Sequence, residues 1–138
     1  MRKIKTWQWV LNQYITECTG KPYQWGVFDC ATFAADWVHK ATGVDMLADW
    51  RGKYTNDEDS EALIQSKNYD DFYHAVCAAF EQYGIEPVRG GTQAKKGDVV
   101  LYGAALGICV GEFMAHINIE KGLTFLRKRD DHVVWSLA

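Results

Sequence analysis

PYQWGVFDCATFAADWV, residues 22 to 38, carries a loop containing Trp25 and Gly26 into Asp29-Cys30 and then into an apolar-striped helix. Asp29 reads as the N-cap, which makes Cys30 the first helical residue. Unpaired backbone N–H groups and the positive end of the helix dipole favour a thiolate there. That is the setting of a nucleophilic cysteine. It suits an ordinary core cysteine equally well, because free cysteine is among the most buried residue types. The local sequence leaves both readings open.

The residues on either side extend the pattern. Trp7, Val10, Leu11, Tyr14, Ile15 and Cys18 recur at helical spacing, predicting a helix from about Thr6 to Thr19 that stops at Gly20. In the second helix Cys30, Phe33, Ala34, Trp37, Val38 and Ala41 share one face, and Gly43 ends it. Residues 44 to 60 are irregular, with room for one short helix. Ser60 to Ser66 reads as a short helix and Asp70 to Tyr83 as a longer one closed by Gly84. The period then changes. Ile85 to Val88, Asp98 to Tyr102, Leu106 to Val110, Glu112 to Ile117, Leu123 to Leu126 and Val133 to Leu137 are short, β-branched or alternating, and separated by glycine-containing turns. Helices first and strands second predict an α+β fold. N-terminal helices pack on a small C-terminal antiparallel sheet, barrel-like or strongly twisted, within one domain spanning 1–138.

Composition narrows the function. Apolar residues make up 48% of 138, enough for a substantial core, and only two prolines interrupt the chain. A formal net charge of -3 leaves no basic footprint for a phosphate backbone, so nucleic acid is not an expected partner. No window approaches the ~20 apolar residues of a spanning helix, and MRKIKTWQWV lacks the apolar run of a signal peptide, so folding in the cytoplasm is expected. Cys18, Cys30, Cys77 and Cys109 are unevenly spaced, without a C-x-x-C pair. Neither a disulfide framework nor a metal site is expected, and no cofactor motif is present. Cys18 and Cys77 read as packing residues. His39 and His74 read as exposed helix residues, and His132, in RKRDDH, as part of a solvated turn.

Three segments together resemble the papain-like fold in its NlpC-type, circularly permuted form, found in bacterial cell-wall peptidases and phage tail-associated proteins. WGVFDCATF is similar to the family's Trp/Tyr-Gly motif leading into Asp-Cys-Ser-x-Phe. AKKGDVVLY is similar to the strand P-G-D-L-V-F-F. ALGICVG at 105 to 111 is similar to H-V-G-I-Y-L-G, and FMAH follows it. The likeness covers about residues 20 to 120. It implies that Cys30 stands at the nucleophile position and His116 at the position that orients the base. The base itself is replaced by Ala105. A Cys-His dyad needs the imidazolium to stabilise the thiolate and to protonate the leaving amine, and alanine does neither.

Further motifs resemble a phage branch of this fold. They are PYQWGVFDCATFAAD and, downstream, Thr42-Gly43-Val44-Asp45 with Arg51-Gly52-Lys53-Tyr54. Arg51 is expected to pair with Asp45 or to cap helix carbonyls, a structural role. The resemblance thus implies a pseudoenzyme, a degenerate NlpC-like domain that is a structural or assembly component of a phage tail tip or baseplate. It would be made in the host cytoplasm, reside in the virion tail and have other tail proteins as partners. The alternative is an active cysteine peptidase or amidase, with Cys30 and His116 cutting peptidoglycan peptides as the phage genome is delivered.

Overall fold

The computed structural model describes residues 1–138 and is α+β, with four helices preceding one antiparallel sheet. Helix α1 (Trp7–Cys18) lays Leu11, Tyr14 and Cys18 against α2 (Cys30–Thr42), whose Phe33, Ala34, Trp37, Val38 and Ala41 form one buried stripe. Short-range chemistry closes both ends of α2. The Asp29 carboxylate accepts the Thr32 N–H, and the Thr32 hydroxyl accepts the Asp29 N–H. Gly43, at φ 83°, sends its N–H to the His39 carbonyl.

Helix α3 (Asp57–Ser66) begins three residues before the predicted start, because the Asn56 side chain caps it through the Asp59 N–H. Helix α4 (Phe72–Glu81) is shorter than its periodicity predicts, and Asp71 caps it. Between α2 and α3 the chain runs as turns before the Asn56 cap. Arg51 pins these turns by bridging Asp45 and Asp36 of α2, the structural role its spacing to Asp45 predicts.

Six strands follow: β1 (Val88–Arg89), β2 (Val99–Tyr102), β3 (Ala105–Cys109), β4 (Phe113–Asn118), β5 (Gly122–Arg127) and β6 (Val133–Trp135). Their spatial order is β1-β6-β2-β3-β4-β5, an open sheet and not a closed barrel. The strand expected at Ile85 to Val88 contributes only its last residue. The terminal strand β6 lies between β1 and β2, pairing Val134 with both Val88 and Val100.

Alternation gives the sheet two different faces. Val99, Leu101, Leu106, Ile108, Ala115 and Ile117 pack against the helices, while Val100, Cys109, Met114 and Val134 form a smaller cluster with Ala94 on the other face. Trp37 anchors α2 to the turn before β2, where its indole N–H donates to the Gly97 carbonyl at 2.8 Å. The next residue, Asp98, accepts from Lys95 N–H at 2.8 Å and Ser136 Oγ at 3.0 Å. The Gly-Asp pair, which exchanges main-chain bonds with Cys109, therefore sets where β2 begins and β3 ends.

His132 overturns its reading as part of a solvated turn. It is 0% exposed, lies 5.0 Å from the Tyr102 ring, and both ring nitrogens lack a hydrogen-bond partner. Gly91 makes room for it, since a Cβ there would strike the His132 side chain. Burial lowers the pKa of His132 and also that of His116, below the ordinary value of 6.5. The folded state therefore binds fewer protons than the unfolded chain below that value, so stability is retained above it and lost as pH falls through it. The urea midpoint should be lower at about pH 5.5 than at about pH 7.5, and His132→Leu should narrow that difference. An unchanged difference in the variant would remove His132 as its source.

Candidate functional site

The loop before Cys30 is held by pairwise main-chain bonds. Gln24 and Phe28 exchange N–H···O bonds of 2.9 and 2.7 Å, and Gly26, at φ +78°, turns the chain between them. A Cβ on Gly26 would stand 2.5 Å from the Tyr54 carbonyl oxygen, so both backbone angle and space demand glycine. The Gly26 N–H and the Tyr54 hydroxyl each donate to Asp29 Oδ2 at 2.8 Å, while Thr32 N–H takes Oδ1. Asp29 is 2% exposed, and these three donors account for its burial. Burial first, and then the neighbouring Asp29, hold the Tyr54 hydroxyl in its protonated, donating form. The Arg-Gly-x-Tyr element thus fixes the cysteine loop from 25 residues away.

Cys30 occupies the first position of α2, as the sequence predicts. Its thiol meets the start of β3, with Sγ 3.7 Å from the Ala104 carbonyl oxygen and the Leu106 N–H close by. Burial pushes this thiol up to about 11. The main-chain N–H groups of Leu106, Ala31 and Cys30 pull the other way, and Asp29 adds to the rise. Desolvation therefore outweighs the helix terminus. Tyr23 lies near enough for Cys30 and Asp29 to reinforce the burial that keeps its phenol protonated.

His116 and Ala105 stand elsewhere on the sheet. His116 is opposite Gly107 on β4, 8% exposed, on the face carrying Met114, whereas its neighbours Ala115 and Ile117 face the helices. Its Nε2 lies 3.0 Å from Thr124 Oγ1 on β5, and burial favours the neutral ring. Ala105 packs on that same face. The structure thus joins His116 to Thr124 and not to Cys30, whose thiol has no side-chain hydrogen-bond partner. At neutral pH the site holds a protonated thiol beside two protonated phenols, without a base in contact with it.

The sequence did not reveal the roles of Tyr54 and Thr124. A signal for Tyr54 existed in its spacing from Arg51, but its partner lies far along the chain. A narrow apolar cleft of about 80 Å³ opens along α2, lined by Ala31, Ala34, Ala35 and Val38 with residues of α3 and α4; Cys30 does not line it. No three His, Cys, Asp or Glu side chains converge as metal ligands would, and no helix is long and apolar enough to cross a membrane.

The chain belongs to the family described as a domain of unknown function (DUF6950), whose model matches residues 2–137. No curated protein matches it.

Proposed function

We propose that this protein is a catalytically silent NlpC-like domain, a structural or assembly component of a phage tail tip or baseplate with other tail proteins as its partners. The observation that carries the silent half of this reading is the state of Cys30. Burial pushes its thiol up to about 11, and its hydrogen-bond partner is a main-chain carbonyl where the papain-like mechanism needs an imidazole. The tail assignment rests on the resemblance of residues 22 to 36 and of Thr42 to Tyr54 to the phage branch. In this reading Asp29, Gly26, Arg51 and Tyr54 build the loop, whether or not the thiol reacts.

Purified protein incubated with muropeptides should release no product above the level seen with Cys30→Ala. Cleavage that depends on Cys30 would overturn the reading and favour the peptidase, with His116 as the residue to test next.

Thiol reactivity gives a second prediction. At about pH 7.5 a shift from about 8.5 to about 11 lowers the thiolate fraction roughly 300-fold, and the greater nucleophilicity of the more basic thiolate recovers about tenfold of this. Iodoacetamide should therefore modify Cys30 roughly 20- to 30-fold more slowly in the folded protein than in the urea-unfolded chain, as followed by peptide mass spectrometry. Faster modification in the folded state would show an activated thiol.

A further inference from the structure

The two edges of the sheet are built differently. β1 is two residues long, whereas β5 at the opposite edge is six. A short edge strand is protected against pairing by its length; a long one needs proline, a bulge, charged side chains or a covering segment, and along β5 these amount to Arg127 and the Lys21 main chain beside Gly122. Gly122-Leu123-Thr124-Phe125-Leu126-Arg127 has neither proline nor an interrupted register with β4. Phe125 is 51% exposed.

The register shows which groups are free. The Lys128 N–H donates to the Glu112 carbonyl at 3.0 Å, one step beyond the Phe113–Arg127 pair. Hydrogen-bonded pairs in an antiparallel ladder alternate, so Leu126, Thr124 and Gly122 bond inward to Met114, His116 and Asn118. The N–H and C=O groups of Leu123, Phe125 and Arg127 point outward and have no partner in the chain. All three side chains then lie on the same face of the sheet.

We infer that β5 is a docking edge that takes up an extended, antiparallel strand from another protein, with an acidic residue opposite Arg127 and apolar residues opposite Phe125 and Leu123. Main-chain bonds to the three free positions would supply affinity, and cross-strand side-chain pairs would supply selectivity. Arg127 is available for such a pair. Its guanidinium lies over the Phe113 ring and reaches Glu112 only at 3.7 Å, both charged groups being largely exposed. A second copy of this chain fits less well. Antiparallel pairing of two β5 strands about Phe125 sets Lys121 of each against Arg129 of the other, and like charges opposite one another destabilise a ladder. This inference does not depend on the state of Cys30.

The test uses the full chain and a capped synthetic peptide, ETVTVT, whose Glu is placed opposite Arg127 and whose valines are opposite Phe125 and Leu123. In amide exchange followed by NMR, millimolar peptide should slow the Leu123, Phe125 and Arg127 amides at least about tenfold, and the inward amides of Thr124 and Leu126 little. The peptide KTVTVT should bind more weakly. Phe125→Pro removes an outward N–H that donates to nothing within the fold, and should abolish binding; Phe125→Ala keeps that N–H and should retain most of it. Unchanged exchange at the three outward amides, equal binding of KTVTVT, or undiminished binding to folded Phe125→Pro would each overturn the proposal. The exchange measurement needs only the wild-type chain.

Discussion

Replacing Asp29 by alanine should destabilise the fold by about 4 kcal/mol, measured as a fall in the urea midpoint at unchanged slope. The substitution removes the α2 cap, worth about 1 to 2 kcal/mol. It also strands two donors, the Tyr54 hydroxyl and the Gly26 N–H, and each buried donor without an acceptor costs about 1 to 3 kcal/mol. These contributions share one carboxylate and do not add fully. Asp29→Asn should cost roughly half as much, about 2 kcal/mol, because an amide keeps one acceptor oxygen for Thr32 N–H but sets an NH₂ group against the remaining donors. A loss of no more than about 1 to 2 kcal/mol on Asp29→Ala, the value of the cap alone, would mean that Tyr54 and Gly26 find other acceptors. Since a domain of this size is stable by only about 5 to 15 kcal/mol, Asp29 bears a large share of the fold whether or not Cys30 reacts.

Gly107→Ala should lower the melting temperature by about 10 °C or more, corresponding to at least about 3 kcal/mol. A Cβ at Gly107 would stand 2.9 Å from Met114 Cε and closer still to the Ala115 carbonyl oxygen. The methionine end is flexible and can move. The carbonyl belongs to β4, whose ladder with β3 pairs Ile108 with Ala115, so it yields only if the two strands separate. Glycine is needed here for space alone, since its φ is not in the left-handed region. Thermal unfolding followed by circular dichroism measures the effect, and a shift of under about 3 °C would show that the sheet absorbs the methyl group.

Such close approaches explain why the helices were more legible than the sheet. Asp29, Gly43 and the apolar stripe of α2 act on residues within one or two turns, so their spacing in the chain is their spacing in space. Arg51 and Asp45 are likewise near neighbours, and their pairing could be expected from the sequence. The strands were legible as segments, from their alternation, but their order was not. Nothing local to Val133–Trp135 places it between β1 and β2, because strand choice follows from which apolar faces meet across the whole core. His132 failed for the same reason. Its charged neighbours in RKRDDH suggest solvent, whereas its burial comes from Tyr102 and Gly91, 30 and 41 positions earlier by the numbering.

The thiol of Cys30 shows both halves of this. The sequence by itself determined that a cysteine would sit at the start of a capped, apolar-striped helix, since N-cap chemistry and helical period operate over a few residues. It also carried the alanine at 105. Only the tertiary structure decided what that cysteine is. β3 lays its main chain against the sulfur, Tyr54 locks the loop through Asp29, and His116 is held by Thr124 on the opposite face. A pKa depends on solvent exclusion and on charges assembled from distant segments, so the competition between helix terminus and desolvation is settled only when the chain has folded.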